Sequence, residues 1–124
     1  MRPLAAGPHA LCPLAGLPDG QARGFILPLA GDAPQPGFPY PEQRILVVRQ
    51  GDTVRGYGNI CPPAGTPLDW TPDQFMSLDG RHLQCATHGA LFRVSDGHCV
   101  AGPCRGKALP PIRVTVTAGM VTAL

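Results

Sequence analysis

Two short stretches carry side chains that bind soft metals. Cys85-Ala86-Thr87-His88 spaces a thiol and an imidazole so that a tight turn after Cys85 brings His88 back beside the sulfur. A second thiol, Cys61, opens the Pro/Gly-rich stretch Cys61-Pro62-Pro63-Ala64-Gly65-Thr66-Pro67-Leu68-Asp69-Trp70. Thiolate and imidazole are the usual donors for zinc and for iron–sulfur clusters. Taken alone, C-x-x-H is a weak signal. Joined to a second cysteine loop, it predicts a metal or iron–sulfur site held between hairpin tips. A third loop, Asp96 to Gly106, adds Cys99, Cys104 and the rigid pair Gly102-Pro103.

Short strands are the elements expected to hold these loops. Arg44-Ile45-Leu46-Val47-Val48-Arg49 is a β-branched run of the kind buried on both faces. Gln50-Gly51-Asp52-Thr53 signals a hairpin turn, with Val54 to Gly58 returning as the partner strand. Phe25 to Leu29 is a shorter apolar run, and Pro28 assigns it to a sheet edge. Asp79-Gly80 turns into Arg81 to Cys85, Ala90 to Val94 leads out again, and Asp96-Gly97 is a further hairpin signal. Ile112 to Thr117, the turn Ala118-Gly119 and Met120 to Leu124 close the chain. One helical turn is expected near Pro72-Asp73-Gln74-Phe75. Residues 31–43, with four prolines, read as an extended surface loop. Residues 1–24 show no sustained period and read as a tail lying over the body; Cys12 within them reads as a small buried hydrophobe.

The bulk properties agree with an all-β chain. With 124 residues there is room for one domain, and 16 Gly and 16 Pro leave little room for long helices. A net charge of +2, scattered along the chain, excludes the clustered basic face of a nucleic-acid binder. No apolar run approaches the roughly 18 residues of a membrane span. Pro3, Pro8 and Pro13 interrupt any signal-peptide core, so a cytoplasmic location is expected, where structural disulfides are uncommon. The five cysteines are an odd number, which favours ligation for some of them.

At Asn59-Ile60-Cys61-Pro62, Gly65 to Trp70, Cys85 to Phe92, Asp96-Gly97-x-Cys99 and Gly102-Pro103-Cys104, the chain resembles a Rieske-type [2Fe–2S] domain of the small ferredoxin kind. The resemblance implies a Rieske-like β-sandwich with a small cluster-binding subdomain of hairpin loops. The whole chain, 1–124, is then one domain, with an N-terminal extension at 1–24 and the cluster-binding subdomain at 59–106. In that family C-x-H in one loop and C-x-x-H in the other hold a [2Fe–2S] cluster, two cysteines on one iron and two histidines on the other. Carried over, Cys61, Cys85 and His88 match three ligands. The fourth falls at position 63, which is Pro63 and offers no donor. The segment between Pro63 and Cys85 is also longer than in many such ferredoxins, a hairpin-sized insertion.

Several readings stay open on that departure. The cluster binds at Cys61, Cys85 and His88 with a changed fourth ligand, from water or from His82, His98, Asp69, Cys99 or Cys104. Alternatively the fold survives without a cluster as an interaction or regulatory subunit, like the cluster-free small subunits related to nitrite reductase. Mononuclear zinc on Cys61, Cys85, His88 and one of Cys99 or Cys104 is a third reading. On the resemblance, Cys99 and Cys104 pack beside the site, Gly102-Pro103 shields it, and Trp70 plugs the base of the first loop. The function it implies is electron transfer: single electrons passed between a reductase and a terminal oxygenase or reductase. No nucleophile–base pair is present, so an electron carrier or accessory subunit is expected in place of a catalyst.

Overall fold

The computed structural model describes residues 8–28, 42–61, 67–69, 73–86 and 89–123. Among them the chain is all-β, as expected, with ten strands and a single 3₁₀ turn at Leu14–Gly16. A four-stranded antiparallel sheet runs β2 (Ala22–Pro28), β3 (Glu42–Gln50), β4 (Thr53–Gly58), β8 (Pro111–Ile112). A three-stranded sheet runs β1 (His9–Pro13), β10 (Met120–Ala123), β9 (Val114–Thr117). The third, also antiparallel, is β5 (His82–Gln84), β6 (Leu91–Arg93), β7 (Cys99–Ala101).

Strand β3 explains how these sheets come together. Successive side chains of a strand point to opposite faces, and Ile45, Leu46, Val47 and Val48 are all buried. Ile45 and Val47 join one core with Cys12, Leu17, Leu27, Ile112, Val121 and Ala123, drawn largely from the β1–β10–β9 side. Leu46 and Val48 join another with Tyr57, Phe75, Leu83, Phe92, Leu109 and four cysteines, Cys61, Cys85, Cys99 and Cys104. Cys12 therefore sits in a different core from the other four thiols. It packs as a small buried hydrophobe.

The turns follow their sequence signals. Gln50 pairs with Thr53 across Gly51, at φ 62°, and Thr117 pairs with Met120 across Ala118 and Gly119, at φ 51° and 76°. Positive φ at both central residues of the second turn, and at the first central residue of the first, matches the twist of an antiparallel ribbon. Gly97, at φ 74°, serves the hairpin between β6 and β7, and a Cβ there would meet the Tyr57 ring at 2.8 Å. The Tyr57 hydroxyl donates to Val94 O at 2.6 Å, so one side chain ties the four-stranded sheet to the β6–β7 hairpin. Strand β2 lies at the sheet edge, where Pro28 is tolerated.

Two expectations are corrected. The stretch read as a tail instead supplies β1 and the start of β2, and β1 pairs with β10 at the far end of the chain, His9 against Ala123. The guanidinium of Arg49 holds this segment in place, donating to Leu14 O at 3.2 Å and Leu17 O at 2.9 Å. The helical turn near residue 72 does not form among its described residues. Asp73 takes φ 67°, Phe75 is buried, and Met76 bridges Leu83 as extended chain. Burial of Phe75 outweighs the weak local helix signal. Most of the proline-rich loop at 31–43 lies outside the described residues.

Shortening a β3 side chain tests the two-core arrangement. Leu46→Ala is expected to lower the unfolding free energy by about 2–5 kcal/mol, measured by denaturant titration.

Candidate functional site

The first cysteine loop is organised by one buried amide. Asn59 follows β4, its N–H donating to Arg44 O at 2.8 Å, and its side chain faces inward at 5% exposure. Its Oδ1 accepts from Leu68 N at 2.7 Å, and its Nδ2 donates to Asp69 Oδ1 at 3.0 Å. Asn59 thus fastens the far side of the loop back to its start, so that Cys61 enters the core instead of solvent. Asp69 Oδ2 accepts from Asp73 N at 3.1 Å, and Asp73 Oδ1 accepts from Gly24 N at 2.8 Å, which extends the network to the sheet edge.

The second loop is closed by its own backbone. Gly89 N donates to Cys85 O at 2.8 Å and Cys85 N to Ala90 O at 2.9 Å, with Gly89 at φ 67°. Ala86 N donates to Leu68 O at 2.8 Å and joins this loop to the first. A third loop leans on it from the other side: a Cβ on Gly102, at φ 101°, would meet Ala90 Cα at 2.8 Å. Only glycine permits that approach.

These loops bring Cys61 and Cys85 together as fully buried thiols within hydrogen-bonding reach of one another. Burial, then the hydrogen bond with Cys85, then the charges of Cys85, Cys104 and Cys99 push the Cys61 thiol up to about 12. None of the five cysteines is in a disulfide. Cys99 and Cys104 form a second adjacent pair in the same core. Among the described residues, no three of His, Cys, Asp and Glu are grouped as a metal site. Of the sequence-derived residues, Cys61 and Cys85 are thus paired, while His88, Pro63 and Trp70 lie outside the described residues. Asp69 is engaged with Asn59, His82 is half-buried in β5, and His98 is exposed. The sequence marks Asn59 only through the family resemblance; the hydrogen bonds that give it its structural role are visible in the fold alone.

A β-sandwich that brings buried thiols from two separate loops together is the frame of an iron–sulfur domain. The sequence model of the Rieske [2Fe-2S] domain matches residues 29–117. The chain belongs to that family. No curated protein matches it. In fold it is similar to the ferredoxin of carbazole 1,9a-dioxygenase from Nocardioides aromaticivorans IC177, at TM-score 0.69 and 23% identity over 95% of this chain and 97% of that one. It is similar to the Sphingomonas yanoikuyae B1 ferredoxin, at TM-score 0.64 and 20% identity over 94% and 97% of the two chains. A Mycobacterium tuberculosis chain assigned as an NADH-dependent nitrite reductase small subunit matches at TM-score 0.62 and 20% identity, over 94% and 93%.

Asn59→Ala leaves the Leu68 N–H without its buried partner and is expected to cost about 1–3 kcal/mol, read by denaturant unfolding. Cys104 gives a pH test. Burial and the hydrogen bond with Cys99 push its thiol up from 9.0 to about 11. Below 9.0 the thiol is protonated in both states. Between 9.0 and about 11 the unfolded chain holds fewer protons than the folded one, so stability falls as pH rises through that window. Cys104→Ala is expected to flatten that part of the profile in thermal melts.

Proposed function

We propose that this protein is a Rieske-type electron carrier that passes single electrons between a reductase and a terminal oxygenase or reductase, using a cluster with an altered ligand set. The observation that carries this reading is the pair of buried, adjacent thiols, Cys61 and Cys85, each delivered by its own loop. Two such sulfurs fit the thiolate half of a [2Fe–2S] cluster, the iron held by cysteine alone. His88 is proposed as the ligand on the imidazole half, with Cys61 and Cys85 on the other. Position 63, a proline, supplies no ligand. When bound, the cluster supplies one-electron chemistry. The protein's part is to exclude water from the sulfurs and to release the thiol protons that ligation displaces.

The partner class rests on likeness. One similar structure is titled as a complex of reduced oxygenase and oxidised ferredoxin in carbazole 1,9a-dioxygenase. We place residues 59–106 as the cluster-binding subdomain of a single domain, and the protein in the cytoplasm. Among the described residues no helix is long and apolar enough to cross a membrane.

Pro63 favours a second reading, a cluster-free interaction subunit on the same sandwich. Iron and acid-labile sulfide on anaerobically purified protein distinguish the two. The carrier reading predicts both elements in the cluster's ratio and a paramagnetic signal after reduction. Metal-free, colourless and folded protein sinks it. Pro63→His is expected to raise iron occupancy and move the signal toward that of a two-cysteine, two-histidine cluster.

A further inference from the structure

Cys99 and Cys104 are not among the three ligands named in that reading, and their thiols are in direct contact with each other. The Cys104 thiol donates to Cys99 Sγ at 2.8 Å, and the Cys99 thiol donates to Ala101 O at 3.2 Å. The backbone enforces the approach. Cys99 N donates to Lys107 O at 2.8 Å, Lys107 N to Cys104 O at 2.9 Å, and Arg105 N to Gly102 O at 3.3 Å. Gly102, at φ 101°, reverses the chain between the two cysteines. Neither side chain belongs to the Cys61–Cys85 pair.

We propose that Cys99 and Cys104 form a two-electron thiol–disulfide site, separate from the metal-type site and oxidised by a small organic disulfide. Cys99 is 6% exposed and Cys104 fully buried, so Cys99 meets the oxidant first and Cys104 resolves. The Cys99 thiolate attacks one sulfur of the small disulfide. A mixed disulfide forms and the first small thiolate leaves, taking up the proton that Cys99 lost. The Cys104 thiolate then attacks Cys99 Sγ, and the second small thiol departs with the Cys104 proton. Two cysteine thiols and one small disulfide give one Cys99–Cys104 disulfide and two small thiols. Both electrons end on the small thiols.

The bond would close a ring on the loop whose Gly102 rests against Ala90 of the second cysteine loop. Oxidation would therefore fix that loop where it already packs, against the loop that carries Cys85. The site works whether or not the neighbouring thiols hold a cluster.

The test is to incubate the folded full-length chain in mixtures of reduced and oxidised glutathione, quench in acid, alkylate, and map thiols by mass spectrometry. The expected result is a peptide joining Cys99 to Cys104, lighter by two hydrogens, whose amount follows the glutathione ratio. Cys104→Ala should instead retain glutathione on Cys99, and Cys99→Ala should lose the cross-link. The proposal is overturned if both residues stay alkylatable in the folded chain at every ratio while a denatured control oxidises. It is equally overturned if either one pairs with Cys61 or Cys85.

Discussion

A stretch of strand with no solvent-facing side is the constraint on which this molecule depends. Ile45 to Val48 bury both faces of the middle of β3, so a layer must cover each of them. One layer comes from the two ends of the chain, β1 with β9 and β10. The other comes from the middle, where the β5–β6–β7 sheet arrives with the thiol loops attached. Cysteine loops are thereby part of a hydrophobic core and not ornaments on a surface.

That placement sets the chemistry of the sulfurs. A thiolate in a dry core is costly, and Cys61 and Cys104 both have their thiols pushed well above the ordinary range, with burial the largest cause in each. Protonated thiols are poor nucleophiles, so Cys104 acts through its small thiolate fraction and exchange at that thiol quickens as pH rises. A bound cation removes the penalty by replacing the protons. The same burial keeps water from whatever the sulfurs hold. Polar groups at the loop bases are correspondingly satisfied, with the Asn59 amide donating to Asp69 and accepting from Leu68.

Glycine appears where the chain must pass close against a neighbour. Gly102 against Ala90 and Gly97 against the Tyr57 ring leave no space for a Cβ, and both lie at positive φ. Through these contacts the third loop, the second loop and the four-stranded sheet behave as one packed unit. A change of length or bonding in the 99–104 loop is therefore transmitted to the loop carrying Cys85.

Much of this was legible from residues alone. The Ile45–Val48 run announced a doubly buried strand. Gly51-Asp52, Asp96-Gly97 and Ala118-Gly119 announced their turns, because turn chemistry is a matter of φ at one or two residues. Cys61 and Cys85-x-x-His88 announced soft-ligand chemistry and, by resemblance, the family. What lay beyond the sequence is whatever depends on distant partners. Strand β1 exists because β10 offers it an edge, and Asp73 and Phe75 leave the helical region because a core side chain and the Gly24 N–H draw them away. The meeting of Cys99 with Cys104, and of both with Cys61 and Cys85 in one core, is likewise tertiary. Local patterns specify dihedral angles and faces. Which faces meet is decided by packing and hydrogen bonds between segments far apart in the chain.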